Sequence, residues 1–231
     1  MTPLILLDFD GVLFDSAYEA YRVCERLAEQ DAAYRVGLPF DEFMNFRSQL
    51  TDAWQYGRLY HRDRLLTEPT QLRQLQPDQE DWTFSQHFFA TRAEMMENPD
   101  WPKLMSPYPF FFQILPLMTA HPEAFRILST RNKASIQRTM VFFNAPCIEV
   151  NGQEEIRQYG TKLDVAKNKG WLSDDRYTVY IDDMHSHLNP FVNKAELCLH
   201  ANWGYDTSHA ESYTQDQVYK IIDVLLKVGF R

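Results

Sequence analysis

Short apolar runs recur along the chain, each closed by acids, hydroxyls or glycine, and the stretches between them repeat their apolar residues with helical spacing. Leu4–Leu7 reads as a buried strand stopped by acids, and strands are likewise predicted at Ala124–Leu128, Cys147–Val150, Tyr177–Ile181 and Ala195–His200. Ser16-Ala17-Tyr18-Glu19 has the form of a capping box. It opens a predicted helix to about Gln30, with Tyr18, Tyr21 or Arg22, Leu27 and Ala28 near one face. Further helices are predicted near Phe40–Leu50, Thr51–Leu66 and Asp81–Met96, punctuated by Pro39, Pro69, Pro77 and Pro99. A helix follows Tyr108, with its regularity left open by Pro116; another runs from Lys162 through Lys169 to a stop at Gly170. The last is capped at Thr214–Gln217, buries Val218, Ile221, Ile222, Leu225 and Leu226, and ends before Gly229.

Strands alternating with helices predict an α/β fold with a doubly wound, mainly parallel sheet. From about residue 17 to 105 no parallel-strand pattern is evident, which predicts an inserted α-helical cap domain within an α/β core made of residues 1–16 and 106–231. Such sheets bind ligands beyond the carboxyl ends of their strands, so the residues that close each run are the candidates for chemistry.

Asp8 and Asp10 leave the first strand on the same side, and Gly11 lets the chain turn sharply so that neighbouring N–H groups can face an anion. Paired carboxylates repel, which suggests a metal site or a general acid, although a solvated turn would also use these residues. Ser129 and Thr130 end a second run, as phosphate-binding hydroxyls or as helix caps; Lys162 opens a helix; Asp182 and Asp183 end a strand and point to opposite sides. His185 and His187 lack the further His or Cys of a transition-metal site and read as part of a polar loop. Tyr56–Arg64, with Arg58, Arg62 and Arg64, suits the polar end of a substrate but equally an exposed helix face.

Composition narrows the class. The chain has 231 residues, 45% of them hydrophobic, which excludes general disorder. No apolar run approaches the ~20 residues of a membrane span, and the first run is too short for a signal peptide, so a cytoplasmic protein is expected. A formal charge of −9 disfavours a nucleic-acid polymer as partner but permits a small phosphate ester in a locally positive pocket. Cys24, Cys147 and Cys198, odd in number and far apart, are expected to be reduced, buried thiols.

The segment Asp8-Phe9-Asp10-Gly11-Val12-Leu13-Phe14-Asp15-Ser16 resembles the first motif of the haloacid dehalogenase superfamily, in its phosphatase and phosphomutase branches. Ser129, Lys162 and Asp182-Asp183 occur in the order and setting of its remaining motifs, without the proline that often follows the lysine. The resemblance implies Asp8 as nucleophile forming an aspartyl-phosphate, Asp10 as acid and then base, Ser129 on the phosphoryl group with Thr130 the other possible hydroxyl, and Lys162 neutralising charge. It implies Mg²⁺ held by Asp8, the Asp10 carbonyl and Asp183, with Asp182 assisting directly or through water. The expected activity is hydrolysis of a small phosphorylated metabolite, the helical insertion acting as a lid. A phosphomutase of the β-phosphoglucomutase type would share every core residue. A haloacid dehalogenase would have no need of Asp10, and a non-catalytic metabolite-binding or interaction module no need of the full set. Residues between about Ala17 and Met105 carry none of the resemblance, so substrate identity is not legible, nor is oligomeric state.

Overall fold

A computed structural model describes residues 2–64, 66, 68–207 and 212–228, and the chain divides into two compact units, residues 1–15 with 106–231 and residues 16–105. The first begins with β1 (Thr2–Leu7) and β2 (Phe14–Asp15). The second holds α1 (Ala17–Gln30), α2 (Phe40–Phe46), α3 (Ala53–Tyr60) and α4 (Gln79–Met96). The chain re-enters the first unit at β3 (Ser106–Pro107), continuing with α5 (Pro109–Ala120), β4 (Phe125–Leu128), α6 (Lys133–Phe142), β5 (Glu149–Asn151), α7 (Gln153–Tyr159) and α8 (Lys162–Asn168). It closes with β6 (Arg176–Asp182), α9 (His185–Leu188), β7 (Leu197–His200) and α10 (Gln215–Val228).

The sheet is parallel, with order β5-β4-β1-β6-β7. Ile5 lies between Phe125 and Val179, which seats β1 at the centre. Leu4, Ile5, Leu6 and Leu7 are fully buried, as a strand covered on both faces requires. From β1 the chain winds outward through β4 and β5, then crosses to the other side for β6 and β7. The direction of winding therefore changes beside β1, where an open α/β sheet leaves a crevice at its carboxyl edge. The antiparallel β2–β3 pair (Phe14 opposite Pro107) closes the turn that follows β1.

The helical unit packs aromatic rings at its centre, with Phe43 stacked on Tyr56 at 5.5 Å and Tyr56 on Phe88 at 5.3 Å between centroids. Three expectations change here. Ser16 makes no side-chain cap to α1, because Glu19 turns inward and accepts two hydrogen bonds from Arg92, at 2.9 and 3.0 Å, while Tyr18 faces outward at 41% exposure. The helix expected to reach Leu66 stops at Tyr60, since His61 becomes extended and bridges Tyr34. Arg58 and Arg64 are neutralised within the unit: Arg58 pairs with buried Asp81 at 2.5 Å, and Arg64 pairs with Asp78 and with Glu80 at 2.5 Å.

In the α/β unit α5 forms despite Pro116, and Thr214 caps α10 through Gln217, while Gly229 lies outside the described residues. The helix α7 was not legible, having no buried residue to give it a periodic apolar face. His185 and His187 sit on a short helix rather than in a loop. Cys24 is buried as expected, but Cys147 is exposed and Cys198 half-buried; all three are free thiols. Among the described residues no helix is long and apolar enough to cross a membrane.

Glu19 is fully buried and Arg92 nearly so. Removing one partner strands the other charge away from water, so Arg92→Ala is expected to cost about 3–5 kcal/mol. The urea midpoint of the variant, followed by circular dichroism, measures it.

Candidate active site

The carboxyl edge of the sheet gathers the residues singled out by sequence. Asp8 follows β1 directly and is buried; Ser129 follows β4 and is fully buried; Asp182 ends β6, with Asp183 one residue beyond, both fully buried. Lys162 arrives from α8, whose start is set by Thr161: its hydroxyl accepts from the Asp164 N–H at 3.2 Å, and the Asp164 carboxylate accepts from the Thr161 N–H at 3.1 Å. The Lys162 Nζ lies 3.0 Å from Asp8 Oδ2 and 2.7 Å from Asp182 Oδ2. One ammonium thus ties the ends of two adjacent strands.

Burial pushes the Asp8 carboxyl up to about 6, and the neighbouring acids Asp182 and Asp10 add to this while Lys162 opposes it. For Asp182 burial acts in the same upward direction, but Lys162 and His187 outweigh it and hold this carboxyl far below the usual range. Burial would lower Lys162; Asp182 and Asp8 overcome that and raise it. The two carboxylates flanking one lysine are therefore driven apart, with Asp182 the committed anion. Its environment explains the asymmetry: it also accepts from the Met184 N–H at 2.8 Å and from the Tyr180 hydroxyl, and His187 Nδ1 lies 3.3 Å away.

Asp8, Asp182 and His187 place ligand atoms within 4.8 Å of one another. The Lys162 ammonium, 3.2 Å from His187 Nδ1 and bonded to both acids, occupies the space between them, so this trio is a seat for the lysine.

Asp183, one residue past the end of β6, is seated separately, against Gly11 and Gly204. A Cβ on Gly11 would lie 2.2 Å from Asp183 Oδ2, and one on Gly204 would lie 2.2 Å from Asp183 Cβ. Gly11 also has φ +82°. The Tyr205 N–H donates to Asp183 Oδ2 at 2.6 Å, and His200 Nε2 donates to the Asp183 carbonyl at 2.9 Å. The loop after β7 is held against the first motif by Trp203 Nε1, which donates to the Val12 carbonyl at 3.0 Å, and by the Tyr205 hydroxyl, which donates to Asp15 at 2.9 Å. Asp183 is thereby seated against the turn that carries Asp10.

Asp10 is engaged separately: Arg131 Nε lies 2.9 and 3.1 Å from its two carboxylate oxygens. Two amides expected to face an anion are used inside the turn, the Phe9 N–H by Asp8 Oδ1 at 2.7 Å and the Gly11 N–H by the Phe14 carbonyl at 2.9 Å. Ser129 is turned inward, its N–H on the Asn151 carbonyl at 3.0 Å and its Oγ accepting from the Arg131 N–H at 3.3 Å, whereas Thr130 is exposed.

Tyr180, His187, Arg131 and the Trp203–Tyr205 loop were not legible as neighbours of these acids. Tyr180 occupies an inward strand position and reads as core; His187 and Arg131 need the fold to reach their carboxylates; Gly204 and Tyr205 lie more than twenty residues past any acidic motif.

In sequence the chain matches no family model and no curated protein. In structure it matches many solved proteins. One from Clostridium acetobutylicum, described as a predicted phosphatase, has 12% identity and TM-score 0.64 over 97% of this chain and 100% of its own. A haloacid dehalogenase-like hydrolase from Bacteroides fragilis has 14% identity and TM-score 0.63 over 93% and 96%, and a β-phosphoglucomutase from Bacteroides vulgatus has 14% and 0.58 over 100% and 91%; both names are assignments by prediction. The chain has the fold of haloacid dehalogenase-like hydrolases, as the first motif implied.

The raised Asp8 carboxyl links stability to pH. The folded state holds this proton more tightly than the unfolded chain does, so the Asp8 contribution is fully present below the usual aspartate range and is lost as pH rises through about 6. In metal-free buffer Asp8→Asn should therefore gain stability relative to wild type between pH 4.5 and 7, by on the order of 2 kcal/mol. Melting curves of both proteins across that range measure the difference.

Proposed function

We propose that this protein is a Mg²⁺-dependent phosphatase acting on a small phosphorylated metabolite through an aspartyl-phosphate on Asp8. The observation that carries the reading is the buried Asp8 carboxylate, paired with Lys162 beside a second, differently held acid, Asp10. The fold shared with phosphatases supports it.

The donor set fits the metal. Asp183 is seated between two glycines against the Asp8–Gly11 turn, and the oxygens of Asp8, the Asp10 carbonyl and Asp183 suit a hard cation. Asp182 stands one step back, holding the lysine. When bound, the cation would neutralise phosphate charge that otherwise repels the Asp8 carboxylate.

The chain's own groups account for the remainder. Asp8 Oδ1 is held by the Phe9 N–H, which fixes the plane of the attacking carboxylate. Asp8 attacks phosphorus, the ester P–O bond breaks with its electron pair on the leaving oxygen, and Asp10 gives that oxygen a proton. Asp10 then takes a proton from water as the water oxygen attacks the acyl phosphate, releasing inorganic phosphate and restoring Asp8. Ser129 and Lys162 stabilise the phosphoryl oxygens during both transfers.

Asp8→Asn keeps the side-chain volume and removes the nucleophile. Phosphate release from a panel of phosphorylated sugars, nucleotides and small acids is expected to fall by about a thousandfold or more. Near-wild-type release, or stoichiometric conversion of an ester to its isomer without free phosphate, would overturn the assignment. Asp183→Asn is expected to raise the Mg²⁺ concentration needed for half-maximal activity far more than His185→Ala does; an equal shift in the two would place the metal elsewhere.

A further inference from the structure

Arg131 is the cation at this edge for which the reaction as described has no task. Its side chain is 2% exposed, and its Nε lies within hydrogen-bond distance of both oxygens of Asp10, which is 18% exposed. Its guanidinium carbon is 5.6 Å from the centre of the Phe9 ring, and its carbonyl accepts from the Gln153 N–H at 2.9 Å. Backbone and head group are thus both anchored, the first to α7, the second to Asp10. A guanidinium so held is committed to Asp10. It is well placed to fix a carboxylate, because its donors are planar and directional where an ammonium is a point charge.

We infer that Arg131 is a positioning residue for Asp10, a role that rests on the phosphatase reading. Asp10 immediately precedes the glycine of its turn and has one side toward solvent, so without a second contact its carboxyl could rotate away from the leaving oxygen. Proton transfer requires that oxygen within hydrogen-bond reach, and an acid displaced by even an ångström loses much of its effect. Arg131 holds the carboxyl plane; Asp10 alone exchanges the proton.

The two aryl esters phenyl phosphate and p-nitrophenyl phosphate separate this role from a structural one. In both, Asp8 displaces the phenolic oxygen; p-nitrophenolate departs without a proton, whereas the phenolate of phenyl phosphate benefits from one. The parameter kcat/KM reports this first transfer only. With saturating Mg²⁺, Arg131→Ala is expected to lower kcat/KM for phenyl phosphate on the order of a hundredfold, and for p-nitrophenyl phosphate by about a tenth of that factor or less. Combined with Asp10→Asn, the Arg131 change should add no further loss. Arg131→Lys keeps a buried cation and guards against a variant that fails to fold; it should show the same ester bias to a smaller degree. Equal losses on both esters in the folded variants, or losses that multiply with those of Asp10→Asn, overturn the inference. Wild-type protein that hydrolyses neither ester, or is matched by Asp8→Asn, overturns the phosphatase reading itself and the role of Arg131 with it.

Discussion

The carboxyl edge of this sheet brings acids from two adjacent strands into a space where neither can be fully hydrated, and one ammonium makes the arrangement tolerable. Lys162 contacts Asp8 and Asp182 at hydrogen-bond distance. Burying these charges unpaired would cost several kcal/mol each, so the lysine is a condition for β1 and β6 to end as they do. It also sorts the acids. Asp182, which shares the lysine and has Tyr180, His187 and the Met184 N–H beside it, is held below the usual carboxylate range, whereas Asp8, with fewer partners, is pushed above it.

The order of the sheet follows from the same need. If β1 lay at an edge, Asp8 could meet the following acidic strand or the hydroxyl-bearing strand, but not both. With β1 central, β6 brings Asp182 and Asp183 to one side and β4 brings Ser129 to the other. The helical unit solves its own charges internally. Arg58 and Arg64 pair with the acidic start of α4, Arg62 donates to the Ala32 and Tyr34 carbonyls, and the buried Glu19 pairs with Arg92, so their presence in the sequence marks packing within that unit.

The five strands of the parallel sheet were legible because each is a short apolar run with an abrupt polar end, a pattern that survives without tertiary information, and three of the four motif positions sit at those ends while Lys162 opens a helix; the two-residue β2 and β3 carry no such run. What escaped depends on contacts far apart in the chain. Arg131 meets Asp10 across 121 positions, and Trp203 meets Val12 across 191. No local periodicity announces such pairs. Ser16 and Glu19 misled for the converse reason: their spacing fits a local cap, but the distant Arg92 offers the glutamate a stronger, desolvated partner. Tyr180 was hidden because an aromatic residue in a buried strand is ordinarily core, and only the position of Asp182 two residues on turns its hydroxyl into a support.

The seat of Asp183 bears on how chains of this fold can be told apart. Gly11 and Gly204 stand on either side of that acid, each without room for a single added carbon. The three positions therefore form an indivisible set, although they are scattered over most of the polypeptide. A diverged chain that bears any side chain at either glycine position must have shifted its loops or given up the acid. Reading those two positions distinguishes a copy that has kept the third carboxylate in place from one that has kept only the more conspicuous opening motif.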